Sequence, residues 1–185
     1  MNIQIRRLKE EDIQQVLQFF RMVSIDTYER NNITNYEEAI EDELLTKGRY
    51  LQQDVDSNGR ERHFLVAFDG DKVVGTIGLY IANHVAVKLT QGEVEGIYEV
   101  GTIYIAPDYQ RLGIGKLLLK SMMFVLHARQ IGKFCLDTGF ATAQEVWLHI
   151  LGEPTYLFEH HWGDGAHHMI WLRNTDDVKI EFDIA

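Results

Sequence analysis

Residues 98–119 read YEVGTIYIAPDYQRLGIGKLLL, an order of residue types that leaves few ways for the stretch to fold. Strand-forming residues run from Ile97 to Ile105 and are stopped by Pro107, which cannot donate to a sheet ladder. Gly113 and Gly115 then open a leucine-rich run. In it Ile114, Leu118, Met122 and Val125 recur at helical spacing, with Lys116, Lys120 and His127 on the opposite face. This predicts a strand, a tight turn and a helix from about Leu112 to Gln130. Such a helix start leaves several backbone N–H groups unpaired and aimed forward. Without side chains at Gly113 and Gly115, a bulky anion can approach the main chain, and the helix dipole adds attraction. The turn is an anion site.

The rest of the chain supplies partners for that unit. NIQIRRL alternates as a strand does, through Ile3 and Ile5 to Leu8. EEDIQQVLQFFRMVSI places Ile13, Val16, Leu17, Phe20 and Val23 at helical spacing, behind acidic residues suited to a helix N-terminus. A shorter helix is expected over NYEEAIEDELLTKG with Gly48 as its stop, followed by QQDVDSNGRER as a surface loop. HFLVAF and KVVGTIGLYIA flank the turn DGD as a hairpin. NHVAVKLTQGEVEG is ambiguous. Beyond Gly132, KFCLDTG reads as a strand, ATAQEVWLHILG as a helix, and TYLFEHHWGDGAHHMIWLRN as a hairpin about Gly163 to Gly165. There is no internal repeat, low-complexity tract or linker. The order βααββ(β)βαβαββ describes a mixed α/β (α+β) sheet domain.

At 185 residues and 45% hydrophobic, the chain is long enough for one domain, 1–185, and too short to expect two. Its 28 acidic and 18 basic residues give a formal net charge of -10, which repels nucleic acid and anionic lipid and leaves cationic or neutral partners. A lone cysteine, Cys135, excludes an internal disulfide framework and any multi-cysteine metal site. The first residues carry no apolar core of signal-peptide length, and no apolar run is long enough to span a membrane. A soluble, cytoplasmic protein is expected.

Spacing separates three phosphate-binding loops. A Walker A loop needs glycine and Ser or Thr where Gln110 and Leu117 stand, and a dinucleotide fingerprint needs a third glycine in place of Leu118. What remains is Gln-x-x-Gly-x-Gly, Gln110 to Gly115, on a strand-to-helix turn. It resembles the pyrophosphate-binding motif of the GNAT N-acetyltransferase superfamily. The likeness covers nearly the whole chain. IYEVGTIYIAPDYQRLGIGKLLL is its specific part, and the first strand and two helices, DGDKVVGTIGLY and MIWLR match in pattern.

The resemblance implies a mostly antiparallel central sheet with splayed central strands flanked by helices, and acetyl-CoA as cosubstrate. It implies that Ile103 and Ile105, with Tyr104 between them, offer backbone groups to the pantetheine arm like an added strand. Gln110, Arg111, Leu112, Gly113, Ile114, Gly115 and Lys116 would form the pyrophosphate cradle, with charge added by Arg111 and Lys116. The implied reaction moves an acyl group from a thioester to an amine. A primary amine with a pKa of about 10.4 is mostly protonated at neutral pH, so a base must take its proton. Glu99 stands where many members of the superfamily carry that base. By strict alternation it shares a face with Gly101, Ile103 and Ile105, and a bulge would change this. The superfamily's usual acid, a tyrosine four residues before a Gly-Phe pair, is absent. Leu148 holds its place, Glu153 and Pro154 follow Gly152, and Tyr156 or water is left to protonate the thiolate.

Cys135, between Phe134 and Leu136, reads as a buried thiol and not an acyl carrier. His160, His161, His167 and His168 flank a turn with Asp164, but their spacing fits no metal motif and no metal is expected. Asp26, Glu29, Glu37, Glu38, Glu41, Asp42 and Glu43 crowd the region that resembles one wall of the acceptor cleft. With a weak likeness to the polyamine-acetylating bacterial members, this suggests N-acetylation of a small cationic amine. The alternatives are a protein N-terminal or lysine acetyltransferase and a catalytically idle CoA-binding module. Small-molecule or peptide amines are the expected partners, and a homodimer is one assembly compatible with such a domain.

Overall fold

The computed structural model describes residues 1–179. Its elements are β1 (Ile3–Arg7), a 3₁₀ turn (Glu10–Asp12), α1 (Ile13–Arg30), α2 (Glu37–Asp56), β2 (His63–Asp69), β3 (Lys72–Ile81) and α3 (His84–Leu89). They continue with β4 (Tyr98–Ile105), a second 3₁₀ turn (Pro107–Tyr109), α4 (Ile114–Ala128), β5 (Lys133–Thr138), α5 (Ala141–Leu151), β6 (Tyr156–Phe158) and β7 (His168–Asn174). The strands form a seven-stranded, mostly antiparallel sheet in the order β1-β2-β3-β4-β5-β7-β6, with β4 and β5 parallel. Two compact units are present: Met1–Tyr80 with Thr102–Ser121, and Ile81–Gly101 with the chain from Met122 onward.

In the first unit, β2 and β3 form the expected hairpin, turned at Gly70 with φ 60°. Val16, Phe20, Val23, Ile40, Leu44 and Leu51 of α1 and α2 pack with Phe64, Val66 and Phe68 of β2, all buried. Each such side chain contributes roughly 1.5–3 kcal/mol when fully removed from water. Gly48 does not stop α2. The helix runs two turns further, taking in residues 52–56 of the stretch expected as a surface loop. Glycine costs about 1 kcal/mol in a helix interior, and packing offsets it: a Cβ on Gly48 would lie 3.7 Å from a Leu17 methyl, so α1 and α2 approach closely there. Buried Asp54 fixes the helix end by accepting from Arg7 and from the Phe64 N–H.

Asp12 organises the start of α1. Arg6 donates to both its carboxylate oxygens at 2.7 and 2.8 Å, and the Lys9 N–H donates at 2.8 Å. The Arg6 bond holds the Asp12 carboxyl below its ordinary pKa. We expect Asp12→Asn to lower stability by about 2 kcal/mol at neutral pH, in the range for a hydrogen bond to a charged group. Because the folded-state pKa is depressed, that contribution is present above the ordinary aspartate pKa of about 3.9 and is lost as pH falls through the lower folded value. Urea unfolding of the two proteins at a series of pH values checks this, and the two curves converge in acid.

In the second unit, Phe134, Cys135 and Leu136 of β5 are all buried, so both faces of this strand are covered and its apolar run is unbroken. β5 pairs with β7 over its whole length, and β6 pairs with β7 from Tyr156↔Ile170 to Phe158↔His168. The ambiguous stretch before β4 contains α3, capped by Asn83, whose Oδ1 accepts from the Val85 and Ala86 N–H groups. Helix α4 belongs to both units, burying Ile114, Leu118 and Leu119 in the first and Met122, Met123 and Leu126 in the second, a wider stripe than the expected one, with Val125 only partly covered.

Candidate active site

The residues singled out by sequence lie in both units. In the first, the 3₁₀ turn and the residues before α4 form the glycine loop. Arg111 at φ 62° and Gly113 at φ 85° take left-handed backbone conformations. A Cβ at Gly113 would meet nothing within 4 Å, so the space before it is open. The first backbone bond of the helix runs from the Leu117 N–H to the Gly113 carbonyl, at 3.0 Å. Among the described residues, no partner accepts from the N–H groups of Arg111 through Lys116. These donors, with exposed Arg111 and Lys116 beside them, suit a phosphate-bearing ligand.

Neighbouring contacts hold the loop in place. Gln110 accepts from Arg30 at 2.9 Å and donates to the Ile105 carbonyl at 3.3 Å. Tyr109 donates to Asp69 at 3.1 Å. Tyr104 points into the α1–α2 core, edge-on to Phe20, and donates to Glu43, which also accepts from Ser24. Burial and the Glu43 charge push the Tyr104 hydroxyl well above its ordinary pKa.

Strict alternation along β4 fails at Thr102, which has φ 48°. This is an uncommon conformation for a β-branched residue. Three bonds hold it: Lys47 donates to Oγ1 at 2.8 Å, Tyr80 shares Oγ1 at 3.0 Å, and Thr76 donates to the Thr102 carbonyl at 3.0 Å. Glu99 therefore cannot be assigned to one face with Ile103 and Ile105 by counting.

In the second unit, Glu99 is buried at 4% exposure. It sits where β4 pairs with β5, opposite Cys135. Its Oε2 accepts from the backbone N–H of Asn83 at 2.8 Å and from Asn83 Nδ2 at 2.9 Å. Asn83 Nδ2 also donates to Asp137, 3.3 Å from each oxygen. Asp137 Oδ2 lies 3.0 Å from Nε2 of buried His168, and the Trp162 indole donates to His168 Nδ1 at 3.1 Å. Residue pattern marked Glu99 and His168 but not Asn83 or Asp137. The available signals were a helix-capping asparagine before HVAVKL and a carboxylate directly after the apolar run FCL.

Tyr156 stands on β6, where its hydroxyl donates to Glu93 at 2.6 Å. That bond raises its pKa and makes it a weaker acid. Burial, with the Glu99 and Asp137 charges, pushes the Cys135 thiol far above the ordinary thiol range, so it is not a ready nucleophile. His160 and His167 tie the hairpin loop to itself. His160 Nδ1 accepts from the Gly165 N–H at 2.9 Å and lies 3.3 Å from Asp164, while His167 Nδ1 accepts from the His160 N–H at 3.1 Å. Among the described residues no group of three His, Cys, Asp or Glu side chains is arranged to hold a metal ion. A small pocket of about 160 Å³ is lined by His84, Val85, Lys88, Leu89, His161 and Trp162.

A model of the acetyltransferase (GNAT) family matches residues 25–152, more than half of the chain. The chain belongs to the GNAT acetyltransferase family. Solved structures carry the same fold over nearly its full length. PaiA N-acetyltransferase from Thermoplasma acidophilum, in complex with coenzyme A, is 22% identical with a TM-score of 0.65, covering 94% of this chain and 100% of that one. Ribosomal-protein-alanine N-acetyltransferase from Brucella melitensis is 18% identical with a TM-score of 0.67, covering 92% and 99%. Aminoglycoside 6′-acetyltransferase type Ii is 13% identical with a TM-score of 0.65, covering 93% and 97%. Comparison with curated proteins finds no match. This GNAT acetyltransferase is an acetyl-CoA-dependent acyltransferase. The unpartnered N–H groups of the glycine loop and the open space before Gly113 fit that cosubstrate. No helix among the described residues is long and apolar enough to cross a membrane.

Proposed function

We propose that this acetyltransferase moves an acetyl group from acetyl-CoA directly to a primary amine of a small cationic molecule such as a polyamine. The supporting observation is the surplus of carboxylates on α1 and α2. Asp26 and Glu41 are paired with Arg30 and Arg21. Glu37, Glu38 and Asp42 are exposed and have no cation in ion-pair contact among the described residues. With a net charge of -10 behind it, such a surface concentrates cations and disfavours anions.

Acetyl-CoA supplies a thioester whose carbonyl carbon accepts the amine. In this reading the N–H groups of Arg111 to Lys116 receive the pyrophosphate, and Gln110, Leu112 and Ile114 shape that loop. Ile103 and Ile105 align the arm, and Tyr104 braces their strand against α1 and α2. Glu99 removes a proton from the amine directly or through a water. The C–N bond forms as the C–S bond breaks. Water relays to the departing thiolate the second proton that the nitrogen sheds as the amide forms, and Glu99 returns the first to solvent, since Tyr156 is bonded to Glu93 and Leu148 replaces the usual tyrosine.

The test is an amine panel assayed for free CoA release. We expect diamines and polyamines to lead, with kcat/KM falling about tenfold as ionic strength rises from about 0.01 to about 0.15 M, where the Debye length shrinks from about 30 to about 8 Å. A preferred anionic acceptor, or a cationic one indifferent to salt, would sink the proposal. A basic peptide leading the panel would favour a protein acceptor. Acetyl-CoA binding with no CoA released by any amine of the panel would also sink it.

A further inference from the structure

We propose that Asn83, Asp137, His168 and Trp162 are positioning residues for Glu99, a single hydrogen-bonded chain that orients its carboxylate and tunes its basicity. This rests on the reading of Glu99 as the base. Each link constrains the next. An indole N–H can only donate, so Trp162 makes His168 Nδ1 an acceptor and leaves the imidazole proton on Nε2. That Nε2–H then donates to Asp137. Asn83 is saturated and cannot turn its amide over. Its Oδ1 caps α3 through Val85 and Ala86, while its Nδ2 bridges the carboxylates of Glu99 and Asp137.

The two neighbours of Glu99 act in opposite senses. Donors from Asn83 favour its charged form, whereas the Asp137 carboxylate, a like charge, favours the protonated one and so strengthens the base. Among the described residues, the titratable groups beside this chain include Cys135, paired in register with Glu99, and His161, whose ring lies edge-on to Trp162 and tilted against His168 at the outer end. Gly139 supplies an independent sign that the outer link is built. A Cβ there would lie 2.5 Å from Trp162 Nε1 and 3.4 Å from His168 Nδ1, so a side chain would expel the indole. The histidine-rich hairpin thus delivers one histidine inward, to Asp137, and leaves His160 and His167 to close its loop.

The experiment measures kcat/KM against pH for the wild type, Asn83→Ser, Asp137→Asn and Glu99→Gln, with the acetyl-CoA Kd of each. Serine keeps the α3 cap but loses the donor to Glu99, so the acidic limb should move up by about one pH unit. Asparagine keeps the bond from His168 but removes the like charge, so the limb should move down by about half a unit. Both should keep the acetyl-CoA Kd within about twofold, whereas a role in folding alone would give no opposed shifts. Limbs that coincide with wild type, or move the same way, overturn the proposal. Asp137→Asn is isosteric and decides alone if Asn83→Ser does not fold, with no downward shift counting against it. If Glu99→Gln keeps full turnover, the base assignment itself fails. If it abolishes the acidic limb while the other two variants keep the wild-type limb, only the positioning chain fails.

Discussion

Glu99→Gln should lower kcat at least about a hundredfold, the lower range for losing a general base, while acetyl-CoA binds as before. Glutamine has nearly the same shape, and its carbonyl oxygen can still accept from the two Asn83 donors that hold Glu99 Oε2. It cannot take a proton from the amine. A substitution that preserves packing and bonds but removes basicity isolates the chemical step, so the loss should fall on kcat and on the acidic limb of the pH profile. Release of CoA followed from about pH 5 to 9, with calorimetric titration of acetyl-CoA alongside, checks both halves. Full turnover with an unchanged profile would remove Glu99 from the mechanism.

Gly113→Val should weaken acetyl-CoA binding at least about a hundredfold, because a branched side chain would occupy the space in which the loop amides meet their ligand. No protein atom lies within 4 Å of a Cβ built at Gly113, so the fold loses little through clashes. It loses about 1–2 kcal/mol because φ is 85° there, a left-handed conformation that costs an L-residue roughly that much. Titration calorimetry and urea unfolding on the same preparation separate these effects. Unchanged affinity in a folded variant would show that the glycine loop is not the anion cradle. Gly115→Ala is the milder companion: its Cβ would touch Ile105 at 3.7 Å, an ordinary contact, and its φ lies outside the left-handed region.

The strand, turn and helix around Gly113 were legible because every residue type there agrees with one local structure: β-formers, a proline stop, glycines, then a leucine run. The β2–β3 hairpin was legible for the same reason. Gly48 was misread because its meaning depends on Leu17, thirty-one residues earlier, whose closeness only the packed helices reveal. Alternation cannot carry Glu99's face through to Ile103 and Ile105, because the irregularity at Thr102 is sustained by Lys47, Tyr80 and Thr76, none of which is near it in sequence. Asn83 and Asp137 were invisible for a related reason. Taken singly, one is a helix cap and the other an acidic strand end, and only β5 lying between β4 and β7 places Asp137 within reach of both Asn83 and His168.

The burial of Cys135 has a practical side. It is the chain's one cysteine, fully enclosed and with its thiol held protonated, so a disulfide reagent added to folded enzyme should find nothing to react with. A colorimetric assay for freed CoA would then run against a blank protein, and slow colour without amine would report unfolding. The same silence makes the native chain a ready host for labelling. A cysteine introduced at exposed Leu112 would be the sole reactive thiol, and a fluorophore attached there would sense occupancy of the glycine loop directly.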